Sequence, residues 1–307
     1  VLDHLHCRGL VTKHTPSVFS KETQYCFKHA LLQNVAYETV LKTNRTRYHY
    51  MAAKWLIRKS GQRADDFSGL IGLHFENGSH PFDAAVWYSK AGRQALRSFA
   101  PDTARHYFNK ALNLLCAVED TIPWHDKALI YLDVYQGTGD VMLSQALYGD
   151  ALEAYANMNQ TATELNDIRN RLTALSKMAW VQEMKSDYHS SLDHALHASS
   201  IFSQSDIQDP DILTEIMIRI GRAYMRLGRL DEAARLIRQA LDQSLLGDNM
   251  DHLAQCNNVM GILDEKSGQY DSAARFYKKA LDLYRQIGNR DWISSMLNNI
   301  AEMDRYC

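Results

Sequence analysis

Apolar residues recur at helical three- and four-residue spacing along most of the chain. The pattern is cleanest in IMIRIGRAYMRLG at 216–228, where Met217, Ile220, Tyr224 and Leu227 share a face with Gly221. After Gly228, residues Leu230, Ala233, Ala234, Ile237, Ala240 and Leu241 form a second apolar face. This predicts two helices joined by a tight turn, with small residues at the crossing so that the backbones approach closely. The chain then says nearly the same thing again. LGRLDEAARLIRQAL (227–241) and SGQYDSAARFYKKAL (267–281) share Gly228/Gly268, Asp231/Asp271, Ala233/Ala273, Ala234/Ala274, Arg235/Arg275, Ala240/Ala280 and Leu241/Leu281, every pair 40 residues apart.

Anchored on Gly221, the same place falls at Gly261 and Ala301 downstream and at Ala179 and Gly139 upstream, at intervals of 40, 40, 42 and 40 residues. Twelve places later stand Ala151, Ser191, Ala233 and Ala273, and four beyond that the large residues Tyr155, Ile237 and Tyr277. Ala195 interrupts the bulky series, which predicts different packing or a one-residue shift in that unit. A fixed period of this length marks a repeat architecture: one helix pair cannot bury its own apolar face, and stacked copies can. Upstream, Gly92, Ala104 and Ala111 fit the same places, and Pro81 and Pro101 suit the first turns of helices, where a missing N–H costs nothing. CAVEDTIPWHD, 116–126, is the expected break in the array. Residues 1–45 leave the pattern. VLDHLHCRGLV reads as a helix ending near Gly9; KHTPSVFSKETQYCFKH, with Pro16, reads as a strand or hairpin; HALLQNVAYETVL is helical again.

The repeat resembles the tetratricopeptide repeat, which places a small residue eighth, a large or aromatic residue eleventh, and alanines twentieth and twenty-seventh. Gly221, Tyr224, Ala233 and Ala240 match, as do Gly261, Ala273 and Ala280, with Asp264 as a departure. The usual period is 34 residues, so a period of 40 implies lengthened helices or linkers, similar to the longer units of bacterial signalling proteins. FKHALLQNVAYETVL (27–41), followed by the basic RTRYHYMAAKWLI, resembles the junction in STAND-type signalling ATPases, ATPase-linked cyclases and LuxR-type transcription regulators. There a nucleotide-binding domain is followed by a winged-helix-like segment and a helical array. The resemblance implies an all-α, tetratricopeptide-like superhelix with a small winged-helix-like segment and connector helix at 1–60, first repeats at 61–116 and an array at 127–307. It further implies that this chain is the C-terminal part of a larger protein, serving as a non-catalytic protein-interaction or sensor module for an ATPase or cyclase domain. The alternatives are a DNA-binding transcription regulator with a sensor array, and a standalone adaptor.

In such repeats the groove is lined from places two, five, nine, twelve and thirteen of the first helix. Carried over, these give Trp180, Glu183 and Met184; Glu215, Arg222, Met225 and Arg226; Gln255, Asn258, Glu265 and Lys266; and Asn298 and Glu302. The residues expected to bind a protein or peptide are Trp180, Glu183, Glu215, Arg222, Arg226, Asn258 and Asn298. Arg222, Arg226 and Asn258 would receive a carboxylate and Trp180 would anchor an apolar group. The bland alternative is a set of ordinary solvated side chains. Ile218 stands where the chaperone-binding clamp has lysine, so a chaperone C-terminus is not the expected ligand.

Composition narrows the classes. With 46% hydrophobic and 23% charged residues among 307, and only 5 Pro and 15 Gly, the chain has the makeup of a folded helical protein. No apolar run approaches the roughly 20 residues that span a bilayer, and the N-terminal residues lack signal-peptide order; a cytoplasmic protein is expected. The five cysteines, Cys7, Cys26, Cys116, Cys256 and Cys307, are scattered and read as reduced thiols. Residues 1–64 hold eleven Lys/Arg against three acids, a charge of +8 within a chain of net charge −2, so the remainder carries −10. That basic segment either meets nucleic-acid phosphates or faces an acidic neighbour. No phosphate-binding loop, dinucleotide fingerprint, HExxH or GxSxG occurs, so neither catalysis nor a cofactor is expected. His4 and His6, beside Cys7, have a ligand-like spacing, but two residues apart on a predicted helix they point apart; His194 and His197 share a face, but a structural or exposed role suffices. The acids Asp65, Asp66, Glu119 and Asp120 suit helix starts.

Overall fold

The computed structural model describes residues 1–14, 17–19, 22–118, 122–247 and 249–305, apart from the side chain of residue 246. Pro16, Glu119, Asp120 and Cys307 therefore lie outside the described residues. Contacts divide the chain into two compact units, Val1–Val141 and Met142–Cys307. The break expected at 116–126 includes residues that are not described; the division itself falls within a helix.

In the first unit, α1 (Leu2–Cys7) stops just before Gly9, whose φ of +67° turns the chain. Strands β1 (Val11–His14) and β2 (Gln24–Phe27) pair antiparallel, Val11 opposite Phe27 and His14 opposite Gln24. This is the expected hairpin. Helix α2 (Ala30–Thr39) buries none of its residues; Leu31 is 73% exposed. Helices α3 (Lys42–Ser60), α4 (Ser68–Asn77), α5 (Pro81–Arg97), α6 (Pro101–Ala117) and the start of α7 (Trp124–Ser144) follow, and both prolines occupy first turns as their missing N–H groups allow. Phe75, Tyr88, Phe108 and Leu115 fill their common core.

The second unit is a stack of antiparallel pairs: α8 (Tyr148–Glu164), α9 (Ile168–Met184), α10 (Tyr188–Gln204), α11 (Pro210–Arg226), α12 (Leu230–Leu246), α13 (Met250–Lys266), α14 (Tyr270–Ile287) and α15 (Arg290–Met303). Helices α9 to α13 each have 17 residues, which at 1.5 Å per residue makes walls about 25 Å long. In the α11–α12 and α13–α14 pairs the small anchor residue meets the large residue 16 places on. A Cβ added at Gly221 would lie 2.6 Å from Ile237, and one at Gly261 would lie 2.5 Å from Tyr277. The place where the sequence breaks rank is packed differently: Ala179 and Ala195, both small, are both buried, and the Ser191 hydroxyl donates to the Ala179 carbonyl at 2.8 Å. Glycine is dispensable here because the opposing side chain is small.

Ion pairs link places about one period apart. Arg93 pairs with Asp133 in the first unit, 40 residues on; in the second, Arg169 pairs with Asp209, again 40 on, and Glu183 with Arg222, 39 on.

The tight turns inside the α5–α6, α11–α12 and α13–α14 pairs each hold one residue in the left-handed region. Gly228 (φ +79°) and Gly268 (+74°) supply it without strain, whereas Phe99 (+55°) supplies it with a bulky side chain that is 89% exposed. A left-handed non-glycine residue costs roughly 1–2 kcal/mol, part of which glycine returns through its freer unfolded chain. Phe99→Gly is therefore expected to stabilise the protein by about 0.5–1 kcal/mol, read as a higher urea midpoint. An unchanged or lower midpoint would show that the exposed ring makes up for the strain.

Candidate functional site

A cavity of about 390 Å3 opens in the second unit. It is lined from alternate helices only, α9, α11, α13 and α15, the first members of successive pairs. Many of its residues belong to a helical turn that a 34-residue repeat would not have. If Gly221 is the eighth place, the first place is Thr214, yet α11 already begins at Pro210; α13 and α15 likewise begin four residues early. The added turns carry Asp211 and Ile212, Asp251 and His252, and Trp292, all in the cavity wall. Each turn is fixed by a side-chain cap. Asp209 accepts from the backbone N–H groups of Asp211 and Ile212, Asn249 from that of His252 at 3.2 Å, and Asn289 from that of Trp292 at 3.3 Å. The longer period builds the cavity.

Two indoles stand in the wall, Trp180 on α9 and Trp292 on α15, with Leu172 and Ile212 as further apolar lining. A guanidinium lies over each indole: Arg219 at 4.8 Å from the Trp180 ring centre and Arg222 at 6.0 Å from that of Trp292. Both arginines are buried, and each is neutralised from within the chain. Arg222 donates from Nε and Nη2 to the two carboxylate oxygens of Glu183, both at 2.8 Å, and Arg226 reaches the same carboxylate at 3.4 Å. Arg219 donates to Glu215 at 2.7 Å, and His252 Nε2 lies 3.2 Å from the other oxygen of Glu215. Burial alone would raise both carboxyl pKa values, but Arg222 holds that of Glu183, and Arg219 and His252 that of Glu215, below the usual range. At the mouth, Asp211 is largely exposed and Asp251 accepts from Gln255 at 2.6 Å.

His252 is the titratable member. Burial favours its neutral form, but Glu215, Asp211 and Asp251 outweigh burial and raise its pKa above 6.5. The stability drawn from this group is then fully present below the unfolded pKa and is lost as the pH rises through the folded one. The difference in unfolding free energy between the protein and its His252→Gln variant should accordingly shrink as the pH is raised from about 6 to 9. A difference independent of pH would mean that His252 stays neutral.

Of the residues expected from the sequence, Trp180, Glu215 and Arg222 line the cavity. Glu183 is 5% exposed and lies behind Arg222, so the carboxylate held by Arg222 and Arg226 is the chain's own. Asn258 is buried with its Oδ1 unpartnered, Arg226 is partly exposed, and Asn298 is exposed and not in the lining. Arg219, His252 and Trp292 were not among the expected residues; the signal for His252 and Trp292 was the early start of their helices at a capping Asn, whereas Arg219 stands at the sixth place, between the fifth and ninth groove places. In the basic N-terminal segment, among the described residues, Lys13, Arg45, Lys59 and Arg63 are paired with Asp3, Glu38, Glu22 and Asp66. Among the described residues no helix is long and apolar enough to cross a membrane.

Residues 213–286 match the tetratricopeptide repeat family. These residues are tetratricopeptide repeats. No curated protein sequence matches the chain significantly. Solved structures share the fold. The chain is similar to the apo form of RapI, with a TM-score of 0.60 at 13% identity, covering 85% of this chain and 97% of that one. It is also similar to the apo quorum sensor NprR of B. thuringiensis, with a TM-score of 0.59 at 13% identity over 90% of this chain and 75% of that one. A third likeness is to a signal transduction ATPase with numerous domains, carrying a tetratricopeptide repeat sensor, from Pyrococcus horikoshii. Its TM-score is 0.50 at 16% identity over 98% of this chain, which spans 48% of that protein's length.

Proposed function

We propose that this chain is a non-catalytic protein-interaction module whose second unit binds a peptide segment of a partner in the cavity between α9, α11, α13 and α15. The observation that carries the reading is the cavity itself: two indoles and aliphatic side chains over a floor of buried ion pairs that are already satisfied. Such a floor holds shape while offering apolar area, which suits binding rather than turnover. The residues assigned to binding are Trp180, Glu215 and Arg222 from the expected set, joined by Arg219, His252 and Trp292, with Glu183 as the internal support of Arg222.

The setting we propose is the sensor part of a multidomain signal-transduction protein, by analogy with the quorum sensor and the STAND protein whose folds it shares. Selection of a random peptide library on the full chain tests the binding reading. Peptides enriched on the protein should be lost on the Trp180→Ala/Trp292→Ala variant; equal enrichment on both would place binding elsewhere. Immunoblotting of source cells tests the setting: a species far heavier than 35.1 kDa is expected, and one of that mass would leave a standalone adaptor.

A further inference from the structure

We propose that the cavity seats an aromatic side chain of that peptide, between the indoles of Trp180 and Trp292, rather than a charged or aliphatic one. The inference rests on the peptide-binding reading and specifies its chemistry. Three observations lead to it.

The first is charge. The cavity's buried cations, Arg219 and Arg222, are held by Glu215 and Glu183, and the mouth carries Asp211 and Asp251. An entering carboxylate or phosphate would be desolvated beside two aspartates with both of these guanidiniums already engaged. An entering cation would shed its water to pass beyond the mouth, where the buried carboxylates Glu183 and Glu215 are already paired. An uncharged group escapes both costs.

The second is the surface presented to it. The indoles of Trp180 and Trp292 are each backed by a guanidinium, at 4.8 and 6.0 Å from the ring centres. Rings gain from offset or edge-to-face contact with rings and from cations near their faces, and an aliphatic group gains neither. A volume of about 390 Å3 lies at the small end of ligand sites, fitting one ring with its stretch of backbone.

The third is an incomplete hydrogen bond. His252 is 8% exposed, its Nε2 faces Glu215, and its Nδ1 has no hydrogen-bond partner; Asp211 lies 3.6 Å away, beyond hydrogen-bond range. A buried ring nitrogen without a partner in a cavity wall is the place where a peptide's main chain would be met. Apolar walls with one unmet polar atom describe a side-chain pocket with a backbone latch.

The test uses the full chain labelled with 5-fluorotryptophan, which gives five fluorine signals, those of Trp180 and Trp292 assigned by Trp180→Phe and Trp292→Phe. The probes are acetylated, amidated pentapeptide mixtures with Phe, Leu or Glu at the centre and degenerate uncharged residues around it. The Phe mixture should shift the Trp180 and Trp292 signals saturably and leave the other three in place, with the Leu mixture roughly tenfold weaker and the Glu mixture inert. Trp180→Ala should weaken the Phe mixture about tenfold as read on the Trp292 signal, with the fold checked by circular dichroism. If Leu or Glu mixtures act as strongly as Phe, the aromatic assignment is overturned while the peptide site stands. If no mixture moves either signal, both fall.

Discussion

Glu183→Ala is expected to destabilise the second unit by about 3–5 kcal/mol, the largest effect of any charge removal in the protein. The cost does not come from losing a favourable ion pair as such. It comes from leaving the Arg222 guanidinium, only 4% exposed, without a counter-charge where water has little access to it. Replacing both partners by apolar residues of similar size, Glu183→Leu with Arg222→Met, should restore most of the loss, because the desolvation of two charges then disappears along with their attraction. Chemical denaturation of the three variants measures this. A Glu183→Ala loss below about 1 kcal/mol would mean that water reaches Arg222 and that the pair behaves as a surface bridge.

Tyr277→Ala should cost a comparable 3–5 kcal/mol, since the ring is fully buried against Gly261 and its hydroxyl donates to Glu265 at 2.5 Å. The informative measurement is the coupling with its neighbour. Gly261→Ala alone should destabilise by about 1–3 kcal/mol through the Cβ that has no room beside the ring. On the Tyr277→Ala background the same change should be neutral or favourable, both because the ring is gone and because alanine is the better helix former. The α9 and α10 pair already exists in that form, with Ala179 and Ala195. Additive costs would mean that the close approach at Gly261 is not what sets its identity.

Much of this was legible in the chain. The period, the helix pairs, the turn glycines and the crossing of small on large follow from spacing alone, because those residues answer to packing within a pair. The cavity was legible only in part. Trp180, Glu215 and Arg222 were reached by carrying groove places over from a shorter repeat, but His252 and Trp292 lie in the first turns that the longer period adds, and Arg219 stands at the sixth place, between two groove places. Charge was misleading for a related reason: Arg222 looks available in sequence, and only the fold brings Glu183 to it from 39 residues away. In α2 the apolar spacing suggests a covered face, yet Leu31 and Val35 are exposed; periodicity records a stripe and not what lies over it.

The ion pairs set one period apart have a consequence for how such a chain is put together. Glu183 stands four places after its anchor Ala179 and Arg222 one place after Gly221, while the matching places of the other hairpin hold Trp180 and Met225, so each hairpin carries only one half of the pair. Grafting the α13–α14 hairpin into the position of α11–α12 would set Ile262, 40 residues beyond Arg222, against Glu183 and strand the carboxylate. The hairpins look alike as modules, but their order is written in charge, and they can be neither shuffled nor duplicated without rewriting the partner one period away.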